Sequence, residues 1–169
     1  RCLSRGLGDV YKRQTMLNPI PSEVDVAVIG AGSAGLPAFR AAREHTDRVI
    51  LIERGPHGTT CARVGCMPSK LLIAAAEAAH GMEIAPGFGI HPGSISIDGE
   101  AVMERIRRER DRFVGFVLDG VDRIDPEQKI SGQARFVEDS RLEIGNSQVR
   151  AGRVVIASGT SPAIPDFLE

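Results

Sequence analysis

Three glycines in Gly30-Ala31-Gly32-Ser33-Ala34-Gly35 separate segments that can pack in few ways. Val24-Asp25-Val26-Ala27-Val28-Ile29 precedes them. An Ala- and Arg-rich stretch, Leu36 to His45, follows, and then Arg48-Val49-Ile50-Leu51-Ile52-Glu53. Short, nearly continuous β-branched runs are the pattern of strands buried on both faces of a parallel sheet. Strand, glycine turn, helix and strand within ~30 residues make a βαβ unit. Pro37 falls in or just beyond the first helical turn, where it forfeits one backbone hydrogen bond.

The glycine positions carry a chemical expectation. Gly30 permits the tight turn, Gly32 lets the backbone approach a pyrophosphate, and Gly35 lets the helix pack closely on the strand. The first free amides, around Ser33 and Ala34, point at the phosphates with the helix dipole behind them. Glu53 ends the second strand at the ~20-residue interval of an acid that binds ribose hydroxyls. The unit predicts a dinucleotide site and does not by itself distinguish FAD from NAD.

Farther along, Thr60-Cys61-Ala62-Arg63-Val64-Gly65-Cys66-Met67-Pro68-Ser69-Lys70 sets two cysteines five apart at the start of an Ala-rich stretch. Gly65 and Pro68 allow irregular backbone before a regular helix, and a thiolate at a helix N-terminus is stabilised and redox-competent. Lys70 to His80 predicts a largely buried helix, and Gly81 to Gly99 a loop. Val102, Ile106, Phe113, Val117 and Val121 predict a long amphipathic helix from Glu100 to Asp122. Lys129 to Glu138, Arg141 to Ile144 and Gln148 to Ala157 predict strands.

Charge and cysteine usage exclude several functions. The formal net charge is -1 and 42% of residues are apolar, an ordinary balance for a globular protein. Arg105, Arg107, Arg108, Arg110 and Arg112 are interleaved with Glu104, Glu109 and Asp111, so they predict a solvated helix face and no nucleic-acid site. No apolar run approaches the ~20 residues of a membrane span, and a cytoplasmic address is expected. Three cysteines do not make a disulfide framework. An i,i+5 pair is uncommon for structural zinc, and His45, His57, His80 and His91 lack ligand spacing, so no metal is expected. Inert buried thiols remain an alternative for the pair. Residues 1–15 are polar and unpatterned before Met16 and read as a non-native leader. The chain stops just past Ser161-Pro162-Ala163-Ile164-Pro165, so 16–169 read as an incomplete domain.

Taken together, the loop Gly30–Gly35, Glu53, the Thr60–Lys70 segment and the closing Ala157-Ser158-Gly159-Thr160 resemble the class I pyridine nucleotide–disulfide oxidoreductases. The likeness runs from about Val24 to Pro165, and within the family the sequence looks most like the dihydrolipoamide dehydrogenases. It implies an α/β, Rossmann-like FAD-binding domain with a parallel sheet and a small antiparallel β addition, truncated before the NAD-binding and dimerisation domains. FAD is the implied cofactor, with NAD and a homodimer in the whole protein. The implied partner is a small-molecule or lipoyl-domain disulfide.

Roles follow position by position from that resemblance. Cys66 is the implied charge-transfer thiol and Cys61 the interchange thiol of a reversible disulfide. Lys70 lies near the flavin, Glu53 binds the adenosine ribose, and Arg54, Thr59 and Thr60 line the cofactor's path. Ala134 offers backbone hydrogen bonds to the adenine, and Ser158 and Gly159 close over the FAD. The implied reaction oxidises dihydrolipoyl groups through Cys61–Cys66 to FAD and then NAD. The alternatives are glutathione, mercuric ion or another disulfide as substrate, or a nucleotide-binding fragment without turnover. Three departures stand out. Arg63 replaces a common Asn, with an expected effect on the substrate entrance; Thr59 replaces a common Gly; and Ser158 replaces a Thr. Neither the second dinucleotide unit nor the His–Glu pair of the family is in this sequence.

Overall fold

The computed structural model describes residues 20–161 and 163–168, so the expected leader at 1–15 and Pro162 lie outside the described residues. Residues 20–57 with 121–168 form one compact unit, and residues 58–120 form a second.

The first unit is α/β. Strands β1 (Glu23–Ile29) and β2 (Val49–Glu53) are joined through helix α1 (Gly35–Arg43). Strands β3 (Lys129–Ser131), β4 (Ala134–Glu138), β5 (Arg141–Ile144) and β6 (Ser147–Ile156) follow. The sheet order is β3-β2-β1-β6-β5-β4. β3, β2, β1 and the second half of β6 are parallel, with Val28 level with Leu51 and Val155. β4, β5 and the first half of β6 are antiparallel.

This sheet cannot lie flat. Gly132 and Gln133 alone link β3 to β4, a span of at most ~11 Å. Yet these strands occupy opposite edges, and five inter-strand steps of ~4.8 Å would separate them in a plane. The sheet therefore folds back at β6, whose residues Ser147–Arg150 pair with β5 and Arg150–Ile156 with β1. The fold-back buries one apolar cluster: Ile50, Ile52, Ile130 and Ala151 from the parallel part meet Leu142, Ile144 and Val149 from the antiparallel part. On the other face Val28, Val49 and Leu51 pack with Phe39, Leu36 and Ala42 of α1. Alternate residues of β2 thus serve opposite layers, as period-two geometry requires.

Two expectations are corrected here. The run Lys129–Glu138 is two strands at opposite sheet edges. Gly132 interrupts it because a Cβ there would come within 2.7 Å of the Ile144 side chain. The helix predicted at Lys70–His80 is longer, Cys66–Ile84, and none of its residues is buried.

That helix belongs to the second unit, made of α2 (Thr60–Val64), α3 (Cys66–Ile84) and α4 (Gly99–Asp122, whose last two residues join the first unit). A helix apolar on every side needs neighbours on every side. α3 packs chiefly on α2 and on a 3-10 turn, Ala85–Phe88, within the expected loop, which leaves Leu72, Ile73, Met82 and Ile84 exposed. In α4 the expected face is the less exposed one: Ile106 is buried and Val102, Phe113 and Val117 are half-buried, while Arg105, Arg107, Arg108 and Arg112 are exposed. Among the described residues no helix is long and apolar enough to cross a membrane.

Candidate functional site

The glycine loop crosses the carboxyl ends of β1, β2 and β6. Gly30 N–H donates to the Ile52 carbonyl at 2.7 Å, and Ala157 N–H to the Ile29 carbonyl at 2.8 Å. Gly30 adopts φ 104°, and a Cβ there would strike the Ala157 carbonyl. A Cβ on Gly35 would fall on the Gly30 carbonyl oxygen, so this glycine permits contact between α1 and the loop. Gly32 differs from both, because a Cβ there would meet nothing within 4 Å. The amides of Gly32, Ser33 and Ala34 make no hydrogen bond among the described residues, and Ser33 and Ala34 are exposed. Pro37 does forfeit one bond: Leu36 and Ala38 donate to the Gly32 and Ala34 carbonyls on either side of it.

Glu53 has a structural task that its spacing did not reveal. Its carboxylate accepts Ala31 N–H at 2.7 Å and Gly55 N–H at 2.8 Å, which ties the end of β2 to the loop. Its main-chain carbonyl accepts Gly132 N–H at 2.9 Å, and so brings the segment leading to Ala134 to the same edge. Ala134 begins β4 and packs against the apolar cluster; Arg54, Ser158 and Gly159 are exposed, Gly159 at φ 74°.

His57, in the loop after β2, is the polar group that sequence reading passed over. Its Nδ1 is buried and has no hydrogen-bond partner among the described residues. Burial lowers its pKa from 6.5; Glu53 and Asp122 oppose this, and Lys129 adds to it. The folded chain therefore takes up this proton less readily than the unfolded chain. Stability from this group is complete above about pH 6.5 and falls as pH drops through that value toward the lower folded pKa. Urea midpoints measured from pH 7.5 to 5 should fall less steeply in His57→Leu than in the parent chain; equal slopes would remove His57 as a cause.

The cysteines belong to the second unit. Thr59 caps α2: its Oγ1 accepts Ala62 N–H at 3.0 Å and its carbonyl accepts Arg63 N–H at 3.1 Å. Cys61 is the second residue of α2, half-buried, and Cys66 is the first of α3, exposed. The two free thiols lie close enough to interact, and this interaction is the main reason the Cys61 pKa is raised; desolvation and the Cys66 charge add to it, and a bond from the Cys66 main chain opposes it. Gly65 permits the junction, since a Cβ there would lie 3.2 Å from the Thr60 carbonyl oxygen. Ser69 Oγ donates to the Cys66 carbonyl at 3.0 Å. Lys70 is exposed one turn beyond Cys66 on the same face of α3. The aliphatic stem of Arg63 packs over the position a Cβ of Gly58 would take, beside Val114.

Gly30, Gly32, Ser33, Ala34, Gly35, Glu53, Ser158 and Gly159 thus share the carboxyl end of the parallel strands in the first unit, with Arg54 and Ala134 adjoining it. Thr59, Thr60, Cys61, Cys66 and Lys70 share one helix junction of the second. Among the described residues no group of three or more His, Cys, Asp or Glu side chains is placed to hold a metal ion.

Residues 24–168 match the sequence profile of the family described as pyridine nucleotide-disulphide oxidoreductase. Mercuric reductase of Streptomyces lividans is 36% identical over 151 residues, 83% of this chain and 31% of that protein. Mercuric reductase of Serratia marcescens is 37% identical over 152 residues, 84% of this chain and 32% of that protein. Glutathione reductase of Burkholderia cepacia is 32% identical over 143 residues, 85% of this chain and 32% of that protein. The chain therefore spans less than a third of the length of these relatives. Among solved structures, the HOCl-induced flavoprotein disulfide reductase RclA of Escherichia coli superposes with a TM-score of 0.63 at 21% identity, over 84% of this chain and 29% of RclA.

Proposed function

The chain belongs to the pyridine nucleotide-disulphide oxidoreductase family, and on that footing we propose an FAD-dependent oxidoreductase that works on a thiol-reactive substrate through Cys61 and Cys66. One observation carries the reading: two free thiols on successive helices, close enough to interact, the second opening a 19-residue helix.

The first unit fits FAD. The space beside Gly32 is open, three successive amides at the start of α1 are unbonded among the described residues, and the Glu53 carboxylate keeps lone pairs beyond its two bonds. Gly30–Gly35 would hold the pyrophosphate and Glu53 the adenosine ribose, with Ala134, Ser158 and Gly159 on the same nucleotide. Bound there, FAD supplies two-electron chemistry. In the second unit Cys61 holds its proton more tightly than a free thiol through its interaction with Cys66. An electron-rich sulfur at the first residue of α3 meets the positive end of the helix dipole.

Mercuric and glutathione reductases among the relatives favour a mercuric ion or a disulfide as substrate over the dihydrolipoyl group expected from sequence. A soft metal ion takes thiolate ligands, and a disulfide exchanges with a thiolate through a mixed disulfide. NAD as electron partner, a homodimer and a cytoplasmic address belong to the same proposal.

A Cys2→Ser version of the chain, reduced and freed of reductant, tests the substrate class. Mercuric chloride or oxidised glutathione should consume Cys61 and Cys66 together. Efficient exchange with oxidised lipoamide and none with mercuric ion or oxidised glutathione would restore the dihydrolipoyl reading. Thiols that react singly and never pair would end the redox reading.

A further inference from the structure

The loop entering α2 holds the backbone conformation least suited to its residue. Thr59 sits at φ 57°, ψ 144°, a region that a β-branched residue all but never visits without a structural reason. Gly58, immediately before it, is buried at φ 107°, with the Val114 and Arg63 side chains 3.0 and 3.1 Å from where its Cβ would be. The strain persists alongside a compensating bond, the capping of α2 by the Thr59 hydroxyl. A five-residue helix has little stability of its own, and this one carries Cys61. The contact between the Cys61 and Cys66 thiols therefore depends on what keeps α2 wound.

We propose that Thr59 is a positioning residue for the thiol pair, its hydroxyl cap on Ala62 N–H holding α2 so that Cys61 stays within reach of Cys66. This rests on the redox role proposed above. Threonine here holds a glycine-like conformation, in which glycine would relieve the backbone and release the cap. Position and stability are thereby set against each other at a single residue.

The test equilibrates Cys2→Ser chains with a glutathione buffer. Cys61 and Cys66 each lose a proton and an electron as their S–S bond forms, and one oxidised glutathione takes up both to leave as two thiols. Thr59→Ser keeps the cap and should hold the equilibrium constant within about twofold of the parent. Thr59→Ala and Thr59→Gly both lose the hydroxyl and should lower the constant, Thr59→Ala by about fivefold, the factor such a cap is worth against alanine, and Thr59→Gly by about twofold or more. Thermal melting separates these two variants. Thr59→Gly should melt about 3 °C higher because its strain is gone, and Thr59→Ala about 3 °C lower because only the cap is gone. Constants that followed the melting temperature instead of the hydroxyl would overturn the proposal while leaving the redox pair intact. A parent chain that never formed the Cys61–Cys66 bond would overturn the redox role and this proposal together.

Discussion

Alanine at Gly35 is expected to lower the melting temperature by about 10 °C, whereas alanine at Gly32 should leave it within about 1 °C and weaken FAD binding at least about tenfold. The two glycines lie three apart in one loop, and residue type by itself treats them alike. Their surroundings do not. A methyl at Gly35 would fall on the Gly30 carbonyl oxygen, a collision of backbone with backbone that no side-chain rotation relieves. Overpacking usually costs about 1–3 kcal/mol, and here α1 must move off β1 or the turn must reform, so the upper end applies. For a chain of 169 residues each kcal/mol is worth about 2–4 °C. A methyl at Gly32 meets nothing within 4 Å, and the space it fills is the one a pyrophosphate needs. Thermal melts paired with quenching of flavin fluorescence read both quantities. Equal losses of melting temperature in both variants would show that the loop is purely structural.

Serine at Cys61 or Cys66 is expected to reduce flavin-linked reduction of a disulfide or mercuric ion by about three orders of magnitude or more while leaving the fold untouched. Neither thiol lies in a buried apolar cluster, and the bond from the Cys66 main chain to the Cys61 sulfur is one that a serine oxygen can also accept. A hydroxyl keeps the shape and loses the nucleophile. Replacing Cys66 with alanine has a second, separable effect. The raised pKa of Cys61 comes first from its interaction with Cys66, so the variant lowers it toward the ordinary thiol value. At pH 8 the thiolate fraction at Cys61 then rises, and alkylation by iodoacetamide accelerates. Unchanged alkylation would mean that the two sulfurs do not interact in solution.

Much of the site was legible because its signals are local. Apolar runs on either side of a glycine turn specify a βαβ unit, and the structure has one with boundaries within two residues of those expected. Cysteines spaced five apart around Gly65 announced a special junction, and they do meet. The segments misread were those whose state depends on distant partners. Lys129–Glu138 has the composition of one strand, but Gly132 must clear Ile144, so the chain leaves one sheet edge and starts at the other. The Ala-rich helix reads as buried because its sequence is apolar on every side. Burial, however, is a property of neighbours, and α3 has few. Of the glycine loop's partners, spacing indicated Glu53 as a ribose ligand and gave no sign of its bonds to Ala31 and Gly55.

By itself the sequence determined the periodicity of each element, the glycines at which the chain can turn, the spacing of the thiols and the family they mark. These follow from sterics and hydrogen bonding among residues close in the chain. Tertiary structure alone decided the fold-back of β4 and β5 over the parallel strands, the burial that strands His57 Nδ1, and the strained cap at Thr59. Each of these depends on atoms brought together across the fold or on a backbone conformation the residue does not prefer. Neither is written in the identity of a residue and its immediate neighbours.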